Sequence, residues 1–159
     1  MSDFGIIGIG RIGTSMARNM SSKGIIVSLY DKSHNSLDNL KNDYPELESS
    51  LVFDDINKFI CSISKPRKVL VMVPSGPALD EVISLLIQYL DSNDILIDGG
   101  NTNPNVSFEN HQTIKSKNFL YLGMGVSGGV KGVLEGPSIM IGGDTNAFNQ
   151  VKNLSLIHI

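Results

Sequence analysis

The chain has 159 residues, of which 41% are hydrophobic and 18% charged, and a formal net charge of -3. That length fits about one soluble domain with a real core, and the mild acidity gives no electrostatic reason for a nucleic-acid or membrane-surface partner. The single Cys61 excludes an internal disulfide and a multi-cysteine metal site, no apolar run reaches the ~20 residues of a membrane span, and the N-terminus lacks the basic and apolar regions of a signal peptide, so a cytoplasmic protein without a metal site is expected.

Taken in chain order, the pattern alternates strand and helix. Phe4 to Ile9 predicts a first strand, and Arg11 to Lys23 a first helix stopped by Gly24. Ile25 to Tyr30 predicts a second strand, rich in β-branched residues. Ser36 to Asp43 predicts a helix ended by Pro45, Leu51 to Phe53 a short strand, and Asp55 to Ser62 a helix. Cys61, among Phe59, Ile60 and Ile63, is expected to be a buried thiol. Val69 to Val73 is wholly apolar and is broken by Pro74-Ser75-Gly76-Pro77. Leu79, Val82, Ile83, Leu86 and Leu90 form the stripe of an amphipathic helix. Ile95 to Ile97 predicts a strand stopped by Asp98-Gly99-Gly100, and Pro104 to Lys117 a polar helix with proline in its first turn. Phe119 to Leu122 predicts a strand followed by a glycine-rich loop, and Thr145 to Leu154 a closing helix. Strands alternating with crossover helices argue for an α/β fold: a Rossmann-like, doubly wound, mainly parallel sheet with helices on both faces.

In such a sheet ligands bind beyond the carboxyl ends of the strands, where four special segments are expected to gather. The first is Gly8-Ile9-Gly10-Arg11-Ile12-Gly13, between a strand and a helix. Gly8 allows the turn, Gly10 leaves room for a pyrophosphate and Gly13 lets the helix approach the strand, while the helix N-terminus offers N–H groups to the phosphates. The others are Val73-Pro74-Ser75-Gly76, Asp98-Gly99-Gly100-Asn101, and Gly123 through Gly129. Asp31, at the end of the second strand, is placed to accept a ribose 2′-OH and argues for NAD. Lys32 and Ser33 permit a 2′-phosphate, and a solvated turn uses the same residue types. Asn101 suits a sugar hydroxyl or a carboxamide, or simply an Asx-turn. Ser127-Gly128-Gly129 offers N–H groups and a hydroxyl to an anion, although Lys131 completes no P-loop. His34, His111 and His158 are scattered and expected on the surface. Asp54 and Asp55 read as a helix cap, and Met16, Met20 and Met72 as core fillers.

Together these segments resemble the 6-phosphogluconate dehydrogenase family, within the wider β-hydroxyacid dehydrogenase group, from about Phe4 to Asn153. The resemblance rests on the glycine turn, Lys65-Pro66-Arg67, Ile97-Asp98-Gly99-Gly100-Asn101, Gly125-Val126-Ser127-Gly128-Gly129 and Gly136-Pro137-Ser138-Ile139-Met140. It implies that Gly8, Ile9, Gly10, Arg11, Ile12, Gly13, Asp31, Lys32, Ser33, Val73, Pro74, Ser75 and Asn101 contact a nicotinamide cofactor, NADP or NAD. It implies that Asn101, Ser127, Gly128 and Gly129 contact 6-phosphogluconate. The implied reaction is oxidation at C3 by hydride transfer, then loss of CO2 to give ribulose 5-phosphate. The implied general base, a lysine, and general acid, a glutamate, belong in the family to a helical domain that follows, so no catalytic residue is expected in these 159 residues. The full-length enzyme is expected to be a homodimer. The family often carries Asn-Arg-Thr where this chain has Asp31-Lys32-Ser33, which leaves NAD and NADP both open.

Residues 1–154 are therefore expected to form one NAD(P)-binding domain. Leu154-Ser155-Leu156-Ile157-His158-Ile159 is what a transposon end used in sequencing libraries encodes in one frame, so residues 155–159 are expected to be an artefactual tail. The 159-residue chain itself is expected to be inactive. Two other readings stay open. One is a β-hydroxyacid dehydrogenase of the hydroxyisobutyrate type, against which Asp98 to Asn101 and Gly136-Pro137-Ser138 speak. The other is a dinucleotide-binding module without catalysis.

Overall fold

Apolar runs bounded by glycine, proline and asparagine turns become the strands of one sheet, and the amphipathic stretches between them become its covering helices. The computed structural model describes residues 1–38 and 40–156, the last four of them by backbone only. Residues 157–159 of the expected tail, His158 among them, lie outside the described residues. The strands are β1 (Phe4–Ile7), β2 (Val27–Tyr30), β3 (Leu51–Phe53), β4 (Lys68–Val71), β5 (Ile95–Asp98), β6 (Leu120–Ser127) and β7 (Ser138–Gly143). Among the described residues they form a seven-stranded sheet in the order β3-β2-β1-β4-β5-β6-β7. The first six are parallel in register and β7 is antiparallel to β6. This is the doubly wound order, with its switch point between β1 and β4.

Both faces of the sheet are apolar, and successive residues alternate between them. Ile6, Leu70, Ile95, Ile97 and Leu122 join one core, whereas Ile7, Val69, Val71, Leu96 and Tyr121 join the other. The first core is covered by α1 (Arg11–Ser22), through Met16 and Met20, by α7 (Gly129–Glu135), through Val133, and by α8 (Thr145–Leu156), through Ala147 and Val151. The second is covered by α4 (Ile56–Cys61), through Phe59 and Ile60, α5 (Pro77–Leu86), through Leu79, Ile83 and Leu86, and α6 (Pro104–Lys115), through Ile114.

The structure corrects the sequence reading in three places. The helix expected over Ser36 to Asp43 is two short turns, α2 (His34–Leu37) and α3 (Leu40–Asp43), because Asp38 turns extended at ψ 133. Cys61 is exposed rather than buried, since it ends α4 on the side away from Phe59 and Ile60. Asp55 does cap that helix, accepting the Lys58 N–H at 2.8 Å. The loop expected from Gly123 is strand: β6 continues to Ser127, pairing with the unanticipated β7. Glycine weakens a strand unless something approaches closely. Here a Cβ on Gly125 would stand 3.2 Å from Met140, and one on Gly123 would meet the Ser107 hydroxyl.

Candidate cofactor site

Beyond the carboxyl ends of β1, β4, β5 and β6 the chain leaves a cleft of about 450 Å³. Its wall is made by Ile12 of α1, Met72, Val73 and Pro74 after β4, Gly99, Gly100 and Asn101 after β5, and Val126 to Gly129 at the end of β6, with Val133 behind. Seven residues expected at a ligand site therefore share one wall: Ile12, Val73, Pro74, Asn101, Ser127, Gly128 and Gly129. The cleft sits beside the switch point, where β1 and β4 send their connections to opposite faces.

The glycine turn is held by its own geometry. Gly8 has φ +92, and a Cβ there would lie 2.8 Å from the Met72 carbonyl oxygen. A Cβ on Gly13 would collide with the Gly8 carbonyl oxygen, so only glycine lets α1 start this close to β1. Space beyond Gly10, the N-cap of α1, is open, and no side chain caps that helix. Ile9, Gly10 and Arg11 face a neighbouring hollow of about 500 Å³, shared with Thr14, Ser15 and Arg18 on α1 and with Asn35, Ser36 and Tyr44 across from it. Arg18 is already engaged, its guanidinium over the Tyr44 ring at 4.4 Å and its Nε 2.5 Å from Glu46.

Asp31 ties the end of β2 to this turn. Its carboxylate accepts the Ile9 N–H at 2.7 Å with one oxygen and the Ser33 N–H at 2.8 Å with the other. Lys32 reaches away to Glu81 on α5, 3.1 Å distant. Ser75, expected with Val73 and Pro74, is exposed and outside the cleft wall.

Asn101 sits at φ +54 and points its amide at the end of β6. Its Oδ1 accepts the Val126 N–H at 2.7 Å and its Nδ2 donates to the Val126 carbonyl at 3.2 Å. It is a clamp across the cleft floor rather than an Asx-turn, and it fixes where Ser127 to Gly129 stand. The loop that carries it is held from below by the buried Asp98, which accepts the Gly100 N–H at 2.9 Å and the Tyr121 hydroxyl at 3.0 Å.

Tyr121 leads to a second hollow that the sequence reading missed, about 400 Å³ between α6 and the β6–β7 pair. Its floor is Asp98, Ser107, His111 and Tyr121, and its rim is Pro104, Phe108, Met124 and Met140. Ser107 Oγ lies 3.0 Å from the Tyr121 hydroxyl. The phenol is pushed well above its ordinary value of 10.0 by burial, against an opposing pull from Ser107 and with further help from the neighbouring Asp98. His111, expected on the surface, is half-buried and stacked on Tyr121 at 5.9 Å, with Nε2 3.2 Å from Asp144 Oδ2. Ser107, His111 and Ile114 stand at i, i+4 and i+7 on α6, and that stripe is the signal by which its inward face could have been found.

Fold and cleft together define a dinucleotide-binding domain of the doubly wound class. Comparison with known proteins narrows this. Residues 3–155 match the family described as the NAD binding domain of 6-phosphogluconate dehydrogenase. The 6-phosphogluconate dehydrogenase, decarboxylating, of Staphylococcus epidermidis is 39% identical over 150 residues, covering 94% of this chain and 32% of the relative. The structure of the Plasmodium falciparum 6-phosphogluconate dehydrogenase, determined alone and with its cofactor NADP+ and its substrate 6-phosphogluconate, superposes with a TM-score of 0.91 at 34% identity, covering 96% of this chain and 33% of that one. The chain therefore belongs to the 6-phosphogluconate dehydrogenase family and carries its NAD-binding domain. It spans about a third of the length of the curated relatives it matches. A Mycobacterium tuberculosis 3-hydroxyisobutyrate dehydrogenase shares the fold, with a TM-score of 0.83 at 21% identity, 99% of this chain and 52% of that one being covered. Among the described residues no helix is long and apolar enough to cross a membrane.

Proposed function

We propose that this chain is the cofactor-holding part of an NAD-dependent oxidoreductase that converts 6-phosphogluconate to ribulose 5-phosphate and CO2. The observation that carries the proposal is the single cleft wall shared by Ile12, the β4 end, Asn101 and Ser127 to Gly129. The Asp31 turn, the glycine turn and Val73, Pro74 and Asn101 would hold a dinucleotide there. Ser127, Gly128 and Gly129, on the same cleft wall, would receive the sugar acid. When bound, the nicotinamide would supply the hydride acceptor for oxidation at C3, and the hydroxyl proton would need an acceptor. Among the described residues the cleft wall contains no ionisable side chain, so the proton would need an acceptor outside that wall.

NAD is favoured over NADP by Asp31, whose carboxylate is fixed by two backbone N–H groups at the end of β2. A 2′-phosphate placed there meets that negative charge. The test is a chimera in which residues 1–150 replace the matching segment of the Staphylococcus epidermidis relative. We expect NADH formation that depends on 6-phosphogluconate and exceeds NADPH formation. A folded chimera that binds neither dinucleotide, or that oxidises 3-hydroxyisobutyrate instead, overturns the proposal. The 159-residue chain alone is expected to bind NAD+ and turn over nothing, and any NADH formed by it on 6-phosphogluconate contradicts the division of labour.

A further inference from the structure

Around the end of β2 the basic side chains are met by acids from other elements. Lys32 Nζ lies 3.1 Å from Glu81 Oε2, on the first half of α5. His34 Nδ1 lies 3.7 Å from Asp54 Oδ2, between β3 and α4. The neighbouring Tyr30 phenol is raised first by burial and then by Asp31, Asp55 and Glu81, so three carboxylates act on the same spot. The Lys32–Glu81 pair is 74% and 64% exposed, which makes it almost worthless for holding the fold. Its effect is on the local potential and on where the lysine is free to reach.

A 2′-phosphate differs from a 2′-hydroxyl by charge and by its demand for a cationic donor. Lys32 is the one cation of the Asp31-Lys32-Ser33 turn. The Ser33 N–H, a second possible donor, is taken by Asp31. We propose that Glu81 is a specificity-determining residue: by engaging Lys32 it withholds the cation a 2′-phosphate requires, and it adds a second negative charge to that of Asp31. The selection of NAD is thus shared between β2 and a helix 49 residues further along the chain. This inference rests on the dinucleotide reading given above.

The experiment is isothermal titration of the purified chain with NAD+ and with NADP+, for the unchanged protein, Glu81→Gln, Lys32→Gln and the double variant. Glu81→Gln is expected to tighten NADP+ about five-fold while NAD+ moves by less than about two-fold. The gain is expected to vanish in the Lys32→Gln background and to shrink as salt is raised. Equal shifts for both cofactors, no shift, or a gain that persists without Lys32 overturns the assignment. Failure of the unchanged chain to bind either cofactor counts against the cofactor reading itself. Intact NAD+ binding with an unmoved ratio counts against Glu81 alone.

Discussion

Strand β5 is flanked by a buried carboxylate at each end, and the two are held in opposite ways. At its amino end Asp94, 1% exposed, receives the Arg67 guanidinium at 2.8 Å, the Arg67 N–H at 2.6 Å and the Asp91 N–H at 2.9 Å. At its carboxyl end Asp98, equally buried, receives only neutral donors: the Gly100 N–H and the Tyr121 hydroxyl. One carboxylate is matched by a full opposite charge and knits β4 to β5 at the edge away from the cleft. The other is matched by dipoles and shapes the loop that carries Asn101. The difference teaches where this domain keeps its strength. The amino edge is held by a buried ion pair, and the carboxyl edge holds the cleft-facing loop through neutral donors alone.

The sharpest way to break the comparison is Arg67→Ala. Arg67 is largely buried, which opposes its charge, but the hydrogen bonds it donates to Asp94 and Asp91 outweigh that burial. Removing it strands Asp94, so a loss of about 3 to 5 kcal/mol is expected in urea unfolding. NAD+ affinity of the molecules that remain folded should stay within about two-fold, since the pair lies far from the cleft. A large fall in affinity at unchanged stability would reverse the roles of the two edges.

Tyr121→Phe tests the other end. It removes the hydroxyl that donates to the Asp98 carboxylate, and a loss of about 1.5 to 3 kcal/mol is expected. Here stability and NAD+ affinity should fall together, because Asp98 positions Gly100 and Asn101. The phenol also gives a pH signature. Its value in the fold is raised, so its contribution is fully present below the ordinary value of 10.0 and is lost as pH rises through the higher folded value. The stability gap between parent and variant should therefore narrow on going above pH 10.0 and stay level below it. A gap that widens in alkali overturns the assignment.

These two ends were unequally legible in the sequence. The strand-turn-helix order around Gly8 to Gly13 and the apolar runs of β1, β4 and β5 announced the doubly wound sheet, because parallel strands buried on both faces leave continuous hydrophobic tracts. The position of Asp31 at the end of the second strand was legible, but its hydrogen bond to the Ile9 N–H was not. The antiparallel β6–β7 pair was not, since Gly123, Gly125, Gly142 and Gly143 read as loop. A Cβ on Gly123 would meet Ser107 of α6, one on Gly125 would crowd Met140 and one on Gly143 would meet the Tyr121 carbonyl, whereas Gly142 faces open space. The clamp from Asn101 to Val126 was hidden for a different reason: it joins positions 25 residues apart through one side chain, and no local pattern encodes that. The depth of His111 was masked by the polar character of α6.

Asp31→Asn is expected to be milder than either change at β5. The amide keeps one acceptor for the Ile9 or Ser33 N–H and loses the second, a cost of about 1 kcal/mol. Its larger signature is in cofactor choice, where NADP+ should gain on NAD+ in a titration. An unchanged ratio would make Asp31 a staple of the glycine turn and nothing more.

The smallest effect belongs to Asp91, the exposed outer member of the amino-end cluster. Lys65, hydrogen-bonded to it, and then Arg67 hold its carboxyl below the ordinary value of 3.8. A depressed value means that the contribution is present above 3.8 and is lost as pH falls through the lower folded value. Asp91→Asn should therefore lower the thermal midpoint slightly and by a constant amount near neutrality, with the deficit closing only below pH 3.8. Added salt should erase most of the deficit, because both Lys65 and Asp91 are solvated. If the deficit instead matches that of Arg67→Ala and resists salt, then Asp91 and not Asp94 is the main counter-charge of Arg67. The strength of the amino edge would then lie at its surface rather than in the buried pair.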